Sequence, residues 1–300
     1  MSLAASRGHP SWDKYGRDWP NRESSRFVEA AGFRWHVQRM GQGPPLLLIH
    51  GTGAATHSWR DMAPLLATRF TILAPDLPGH GFTDPMPPGS LSLSGIARAL
   101  SALLRRLEFT PEVAVGHSAG AAILARMCID RIIAPKLLVG LNAALLPFDG
   151  MAAHFFPPIA KLLFLNPLTP RLFAWSADRA AVDRLLRGTG STIDRAGVDF
   201  YARLMGNYGH VAGALGMMAN WDLETLARDL PKIPAPLVLI VARGDKAVPP
   251  SAADRIKRRL PHVQVEFVEG VGHLAHEEKP RAMSERIFRL AETAGAIEPF

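Results

Sequence analysis

A hydroxyl, an imidazole and a carboxylate are what it takes to turn a serine into a nucleophile, and three loops of this 300-residue chain offer one each. Ser118 stands in Gly116-His117-Ser118-Ala119-Gly120, Asp245 in Arg243-Gly244-Asp245, and His273 in Gly270-Val271-Gly272-His273. A serine hydroxyl is a weak nucleophile until a base takes its proton, and the base works best when a carboxylate orients it. Such a serine attacks an ester-like carbonyl and leaves negative charge on oxygen, so N–H donors must wait there. Chance alone gives about 0.1 Gly-x-Ser-x-Gly matches in a chain of this composition, so the surrounding elements have to carry the reading.

Those elements are the right ones. The β-branched run Val113-Ala114-Val115 enters the motif and a helical pattern, Ala121 to Asp130, leaves it without slack. Strand, sharp turn and helix in that order form a nucleophile elbow, in which the serine backbone is strained and side chains two residues before or after it would collide with the strand or the helix. Gly116 and Gly120 meet that demand.

The second chemical feature is His50-Gly51-Thr52-Gly53, which follows the continuous apolar run Pro44 to Ile49. Small residues there let backbone approach a bound carbonyl, and the N–H of Thr52 or Gly53 is expected to complete an oxyanion hole with the N–H of Ala119. A ligand-free glycine turn would read the same way. His50, His80, Trp59 and His276 are second-tier candidates for the pocket wall. His80 lies in Pro75-Asp76-Leu77-Pro78-Gly79-His80-Gly81, whose glycines and aspartate more simply hold a loop in shape.

Arg26 to Ala30 and Phe33 to Gln38 read as antiparallel strands joined at Ala31-Gly32; buried strands follow at Pro44–His50, Thr71–Ala74, Val113 into the elbow, Lys136–Asn142, Pro236–Ala242 and Val263–Val268. Helices are expected over Trp59–Thr68, Ser92–Leu107 and Pro280–Ala291. This alternation predicts an α/β fold with a mostly parallel, doubly wound sheet of about eight strands. In such a sheet the carboxyl ends of the strands share one edge, so Ser118, Asp245 and His273 converge although 127 and 28 residues separate them along the chain. Residues 1–25 read as an N-terminal arm that docks through Trp12, Trp19 and Pro20, residues 26–146 and 222–300 as the core, and residues 147–221 as an inserted helical cap. The cap is rich in Phe, Met, Trp and Tyr, including Phe148, Met151, Phe155, Phe156, Phe173, Trp175, Tyr201 and Met217, which favours a roomy apolar pocket and a bulky small-molecule substrate.

Composition bounds the rest. Hydrophobic residues at 48% and charged residues at 20% describe a chain with a large core. The net charge of +7 is scattered over helices rather than gathered in a tract with aromatics, which argues against nucleic acid and leaves room for weak attraction to anionic lipid or an acidic partner. The single cysteine, Cys128, excludes internal disulfides and falls in the elbow helix, where burial makes it inert. Met1 to Arg22 has no apolar leader pattern and no apolar run reaches membrane-spanning length, so the chain is expected in the cytoplasm, with peripheral membrane contact as the remaining option. No His/Cys/Asp grouping has metal-ligand spacing and no nucleotide fingerprint is complete, so neither metal nor organic cofactor is expected.

The order Ser, Asp, His on alternating strands and helices resembles the α/β-hydrolase superfamily from Arg26 onward. The arm Tyr15-Gly16-Arg17-Asp18-Trp19-Pro20-Asn21-Arg22, with Phe33 to Gly41 and His50 to Arg60, further resembles the BchO family, magnesium-chelatase accessory hydrolases of bacteriochlorophyll biosynthesis. That resemblance implies a role near magnesium insertion in photosynthetic bacteria, with a tetrapyrrole as the small molecule and magnesium chelatase subunits as partners. Three functions stay open: a serine hydrolase acting on an ester or thioester, a C–C bond hydrolase in which His273 outweighs Ser118, and a non-catalytic porphyrin-binding or chelatase accessory protein.

Overall fold

The computed structural model describes residues 8–147, 166 and 168–299. Eight strands form one sheet in the order β1-β2-β4-β3-β5-β6-β7-β8, with β1 Ser25–Ala30, β2 Phe33–Met40, β3 Pro45–Ile49, β4 Thr71–Pro75, β5 Val113–His117, β6 Leu137–Leu141, β7 Leu237–Ala242 and β8 Gln264–Val268. β1 and β2 pair antiparallel, as do β2 and β4; every other pairing is parallel. Ala31 and Gly32 both hold positive φ, 56° and 83°, the turn whose twist matches that of a two-stranded hairpin.

Strands buried on both faces should be apolar at consecutive positions, and their side chains then alternate between two cores. Leu47, Ile49, Ala114, Leu239 and Val241 pack into one core with the helices Leu93–Arg106 and Ala119–Ile129. Leu46, Leu48, Val113, Val115, Val238 and Ile240 pack into the other, under the helix Pro280–Thr293. The expected helix Trp59–Thr68 is instead a 3-10 turn, Thr56–Trp59, followed by a short helix, Met62–Leu66, whose first turn holds Pro64; in a helix begun at Trp59 that proline would be interior, lacking its N–H and clashing with the Arg60 carbonyl.

The sheet has its switch point between β4-β3 and β5. β3 pairs with β4 on one side and β5 on the other, so the loops leaving β3 and β5 emerge side by side at the carboxyl edge. Between β6 and β7 the chain adds helices Thr169–Ser176, Arg179–Gly188, Arg195–Met205, Tyr208–Ala219 and Leu223–Asp229. Asp178, Asp194 and Asp222 cap three of them by accepting from Ala181, Gly197 and Thr225 N–H. The expected cap residues Phe148, Met151, Phe155 and Phe156 lie outside the described residues.

Arg60 joins the sheet side to these helices. Its guanidinium meets Glu277 and Asp194, and the Tyr201 hydroxyl donates to the other Glu277 oxygen at 2.8 Å. Burial pushes the Glu277 carboxyl up to about 7, against the opposing pull of Arg60. Along the adjoining surface runs the N-terminal segment. Trp19 is buried, donates from Nε1 to Thr56 Oγ1 at 3.0 Å, and packs edge-on against Phe82 and Phe200 with ring centroids 4.7 and 5.5 Å apart. Asp18 takes a two-pronged ion pair from Arg203 at 2.7 Å. The segment therefore bridges the sheet-side loop and an inserted helix. Trp19→Ala removes the wedge between them, and a loss of about 3–5 kcal/mol is expected in urea unfolding, with earlier proteolytic cleavage in the residues before β1. Unchanged stability would show that the segment merely rests on the surface.

Candidate functional site

Ser118 has φ 51° and ψ −117°, a backbone state costing about 1–3 kcal/mol for a residue with a side chain. Packing imposes it. A Cβ on Gly116 would lie 2.4 Å from the Ala121 nitrogen, and one on Gly120 would lie 2.2 Å from the Ile49 oxygen. The helix after the elbow thus abuts β5 and the end of β3 with no space for a methyl group. Ser118 N–H donates to Leu141 O at 2.9 Å and Ser118 O accepts from Ala144 N–H at 3.1 Å, which ties the turn to the end of β6.

Ala119 opens the elbow helix, so its N–H faces outward from the first turn. Gly51 brings the neighbouring loop against it: a Cβ there would sit 3.1 Å from Ser118 Cβ. Gly53 has φ 75° and open space where its Cβ would be. No protein acceptor among the described residues takes the N–H of Thr52 or Gly53. The three backbone donors expected from the sequence thus belong to two loops that meet at Ser118.

Asp245 and His273 come together as expected. His273 Nδ1 donates to Asp245 Oδ2 at 2.7 Å, and both residues are buried. Asp245 Oδ1 accepts from Ala247 and Val248 N–H, each at 2.8 Å, so the carboxylate is fixed by three donors. With Nδ1 engaged, Nε2 is the imidazole nitrogen left to handle a proton.

Two residues that the sequence reading did not single out hold the His273 loop. Asn142, at the end of β6, donates to Gly272 O at 3.1 Å and His273 O at 2.8 Å, and accepts from Ala242 N–H at 2.8 Å. His117 donates from Nε2 to the same His273 carbonyl at 2.9 Å, and the two rings lie 4.7 Å apart. Asn142 follows directly on an apolar strand that ends at the carboxyl edge, and an amide there is the one available signal. His117 stood in the motif itself.

The second-tier candidates turn out to be structural in their contacts. His50 Nδ1 donates to Gly51 O at 2.8 Å while Leu77 N–H donates to its Nε2 at 2.9 Å, so the neutral ring pins two loops. His80 donates to Pro78 O at 3.2 Å and packs between His50 and His210. Trp59 and His276 are buried against each other, with ring centroids 4.7 Å apart, and His276 also meets His117 at 4.4 Å. His276 thus turns into the body and not toward the inserted helices. Asp76 shapes the loop, accepting from Thr56 N–H, Phe82 N–H and His36 Nδ1 at 2.7–2.8 Å. Burial would raise its carboxyl, but the facing His36, His50 and Phe82 N–H hold it well below the usual range. Cys128 is buried, which pushes its thiol up to about 12. No cluster of His, Cys, Asp and Glu among the described residues is arranged to hold a metal ion.

His210 is the unexpected member. It rises from the inserted helix Tyr208–Ala219, accepts from Gly81 N–H at 3.1 Å and donates to Gly53 O at 3.1 Å, so one imidazole sets the orientation of a peptide in the candidate oxyanion loop. Nothing in the sequence marks it.

The chain belongs to the α/β-hydrolase family, whose profile matches residues 46–286. Within that family it is 40% identical over 263 residues to a protein of Rhodobacter capsulatus named magnesium-chelatase 30 kDa subunit, spanning 87% of this chain and 92% of that one. A soluble epoxide hydrolase of a Corynebacterium species is 26% identical over 83% of this chain and 91% of its own length. The crystal structure of an epoxide hydrolase from Vigna radiata shares the fold, with a TM-score of 0.75 at 21% identity over 90% of this chain and 98% of that one.

Burial holds His210 at about 3, below its ordinary value near 6.5. The unfolded chain therefore binds the proton first. Stability contributed by the neutral ring is complete above about pH 6.5 and is lost as the pH falls toward 3. Urea midpoints between pH 7 and pH 4 should show His210→Gln with a stability slope shallower by about 1.4 kcal/mol per pH unit than the parent chain. Equal slopes would mean the ring charges without unfolding.

Proposed function

We propose that the chain is a serine hydrolase-type enzyme that cleaves an ester or thioester of a bulky apolar substrate through Ser118, His273 and Asp245. The observation that carries this reading is the buried His273–Asp245 hydrogen bond, which commits Nδ1 and leaves Nε2 as the base. In the proposed sequence Nε2 removes the Ser118 proton as Oγ attacks the carbonyl carbon, and the N–H groups of Ala119 and of Thr52 or Gly53 receive the oxyanion. The imidazolium, stabilised by Asp245, returns the proton to the leaving group. Water then enters, is deprotonated by the same Nε2, and releases the acid and Ser118. One oxyanion donor is worth about 3 kcal/mol of barrier, or a hundredfold or more in rate.

The relative's name supports a place beside magnesium insertion in bacteriochlorophyll biosynthesis, with a tetrapyrrole as substrate and magnesium chelatase subunits as partners. The inserted residues 147–221 act as a cap in this reading, and His210 couples it to the oxyanion loop. A single, buried cysteine suits a reducing cytoplasm. The same name favours one alternative, a porphyrin-binding accessory role without turnover.

Mass spectrometry after fluorophosphonate treatment separates them. Adduct on Ser118, absent in Ser118→Ala and slowed by about 10³-fold or more in His273→Ala, is the expected result. A folded protein that takes no label, while porphyrin absorbance still shifts on titration, would transfer the assignment to binding.

A further inference from the structure

Large apolar side chains are normally scattered singly when they reach a protein surface. Here those that are mostly exposed, among the described residues, all fall within residues 168–185: Leu168, Leu172, Phe173, Trp175 and Leu185. Leu168, Leu172 and Trp175 are spaced i, i+4, i+7 and make one stripe along the helix Thr169–Ser176, whose other side packs on the helix Tyr208–Ala219. Trp175 is 87% exposed, although a buried tryptophan contributes more to stability than almost any other side chain. The stripe is therefore outward-facing, and folding of the chain does not use it.

Charge selects its occupant. Residues 168–188 carry four arginines against two aspartates. Arg179 and Arg187 are neutralised by Asp199 and Asp183, but Arg171 and Arg184 have no carboxylate partner among the described residues. Arg171 lies one helical turn from both Leu168 and Trp175 and stacks over the Tyr208 ring, so a fixed cation borders the stripe. Tryptophan and leucine on one face with arginine at the rim is the pattern of a helix that lies in a lipid headgroup layer, with its apolar face toward the acyl chains and its cations on anionic phosphates. No helix among the described residues is long and apolar enough to cross a membrane, so contact of this kind is at the surface.

We propose that the face bearing Leu168, Leu172 and Trp175, with Arg171 at its rim, docks the protein on an anionic lipid bilayer. The contact is reversible and weakened by salt, since Arg171 at the rim of the stripe supplies the electrostatic share. It also places the inserted helices against the reservoir from which an apolar substrate would be drawn.

Trp175 supplies the readout, because it is the one exposed tryptophan of the six. The full chain should sediment with phosphatidylglycerol vesicles at least tenfold more tightly than with phosphatidylcholine vesicles, and high salt should release it. Brominated acyl chains should quench its fluorescence, and Trp175→Phe should abolish that quenching while sedimentation persists. Leu172→Ser with Trp175→Ser should weaken binding at least tenfold at an unchanged urea midpoint, as both side chains are exposed. The proposal is overturned if phosphatidylglycerol vesicles do not bind the chain, if the double variant binds as well as the parent, or if brominated lipid leaves the fluorescence unchanged. A parent dimer that forms in place of vesicle binding and dissociates in the double variant would likewise overturn it, assigning the stripe to a second copy of the chain.

Discussion

Everything near the carboxyl edge depends on one contact, the helix after Ser118 lying flush against the ends of β3 and β5. Backbone meets backbone there with no side chain between, and the turn that makes this possible forces Ser118 to φ 51°. A residue other than glycine stays in that state only when its neighbours over-determine it. The neighbours here are the Leu141 carbonyl at the end of β6 and the Ala144 amide just past it, together with the Gly51 loop that follows β3. The strain is thus distributed over three strands, and the same packing that holds Ser118 outward also presents the Ala119 N–H beside it.

A second constraint follows from the unusual number of imidazoles packed around this edge. Seven histidines, His9, His50, His57, His80, His117, His210 and His276, are held below the ordinary value chiefly by burial. A neutral ring can serve as a one-donor, one-acceptor linker, and of the seven, His50 and His210 do so, each using both nitrogens to join loops that share no strand. His57 and His276 use neither nitrogen and serve as flat apolar filler against Tyr201 and Trp59. His273 differs from all of these in having a carboxylate on Nδ1. His36 is also acid-paired, through Nδ1 to Asp76, but its Nε2 is taken up by Ser25 Oγ at 3.0 Å, so what each ring touches, and not residue type, separates His273 from the structural imidazoles.

The central strands β3 to β7 were legible because a strand buried on both faces must be apolar along its length, whereas β1, β2 and β8 carry charged or polar residues and were read from their β-rich runs and flanking turns; all eight fall within two residues of the observed strands. Ser118, Asp245 and His273 were legible for a related reason: each follows such a run within five residues, and parallel strands deliver their loops to one edge. His210 and Asn142 were not, since their roles arise from contacts spanning 157 and up to 131 residues that no local pattern encodes. His50 and His80 were singled out for the pocket wall, and the contacts they make brace glycine loops; a histidine that does this and one that lines a cavity have the same sequence neighbours. The helix after Trp59 was misjudged in length because its apolar spacing runs past Pro64, which a helix accepts only in its first turn, so the helix starts at Met62 and not at Trp59.

Two of the relatives that share the fold are epoxide hydrolases by name, and the residue at the elbow discriminates between epoxide opening and ester cleavage on elementary grounds. If Ser118 is the nucleophile, opening an epoxide would leave an alkyl ether on Oγ, and an ether has no electrophilic carbonyl at which water can later attack. The enzyme would be consumed in one event. Attack on an ester or thioester leaves an acyl group instead, whose carbonyl faces the same oxyanion donors a second time and can be released by water activated at His273. Of these two chemistries, a serine nucleophile at this position can turn over only the second. That restriction comes from the atom at position 118 and the bond it would form, whereas the fold, shared by all these proteins, is indifferent to it.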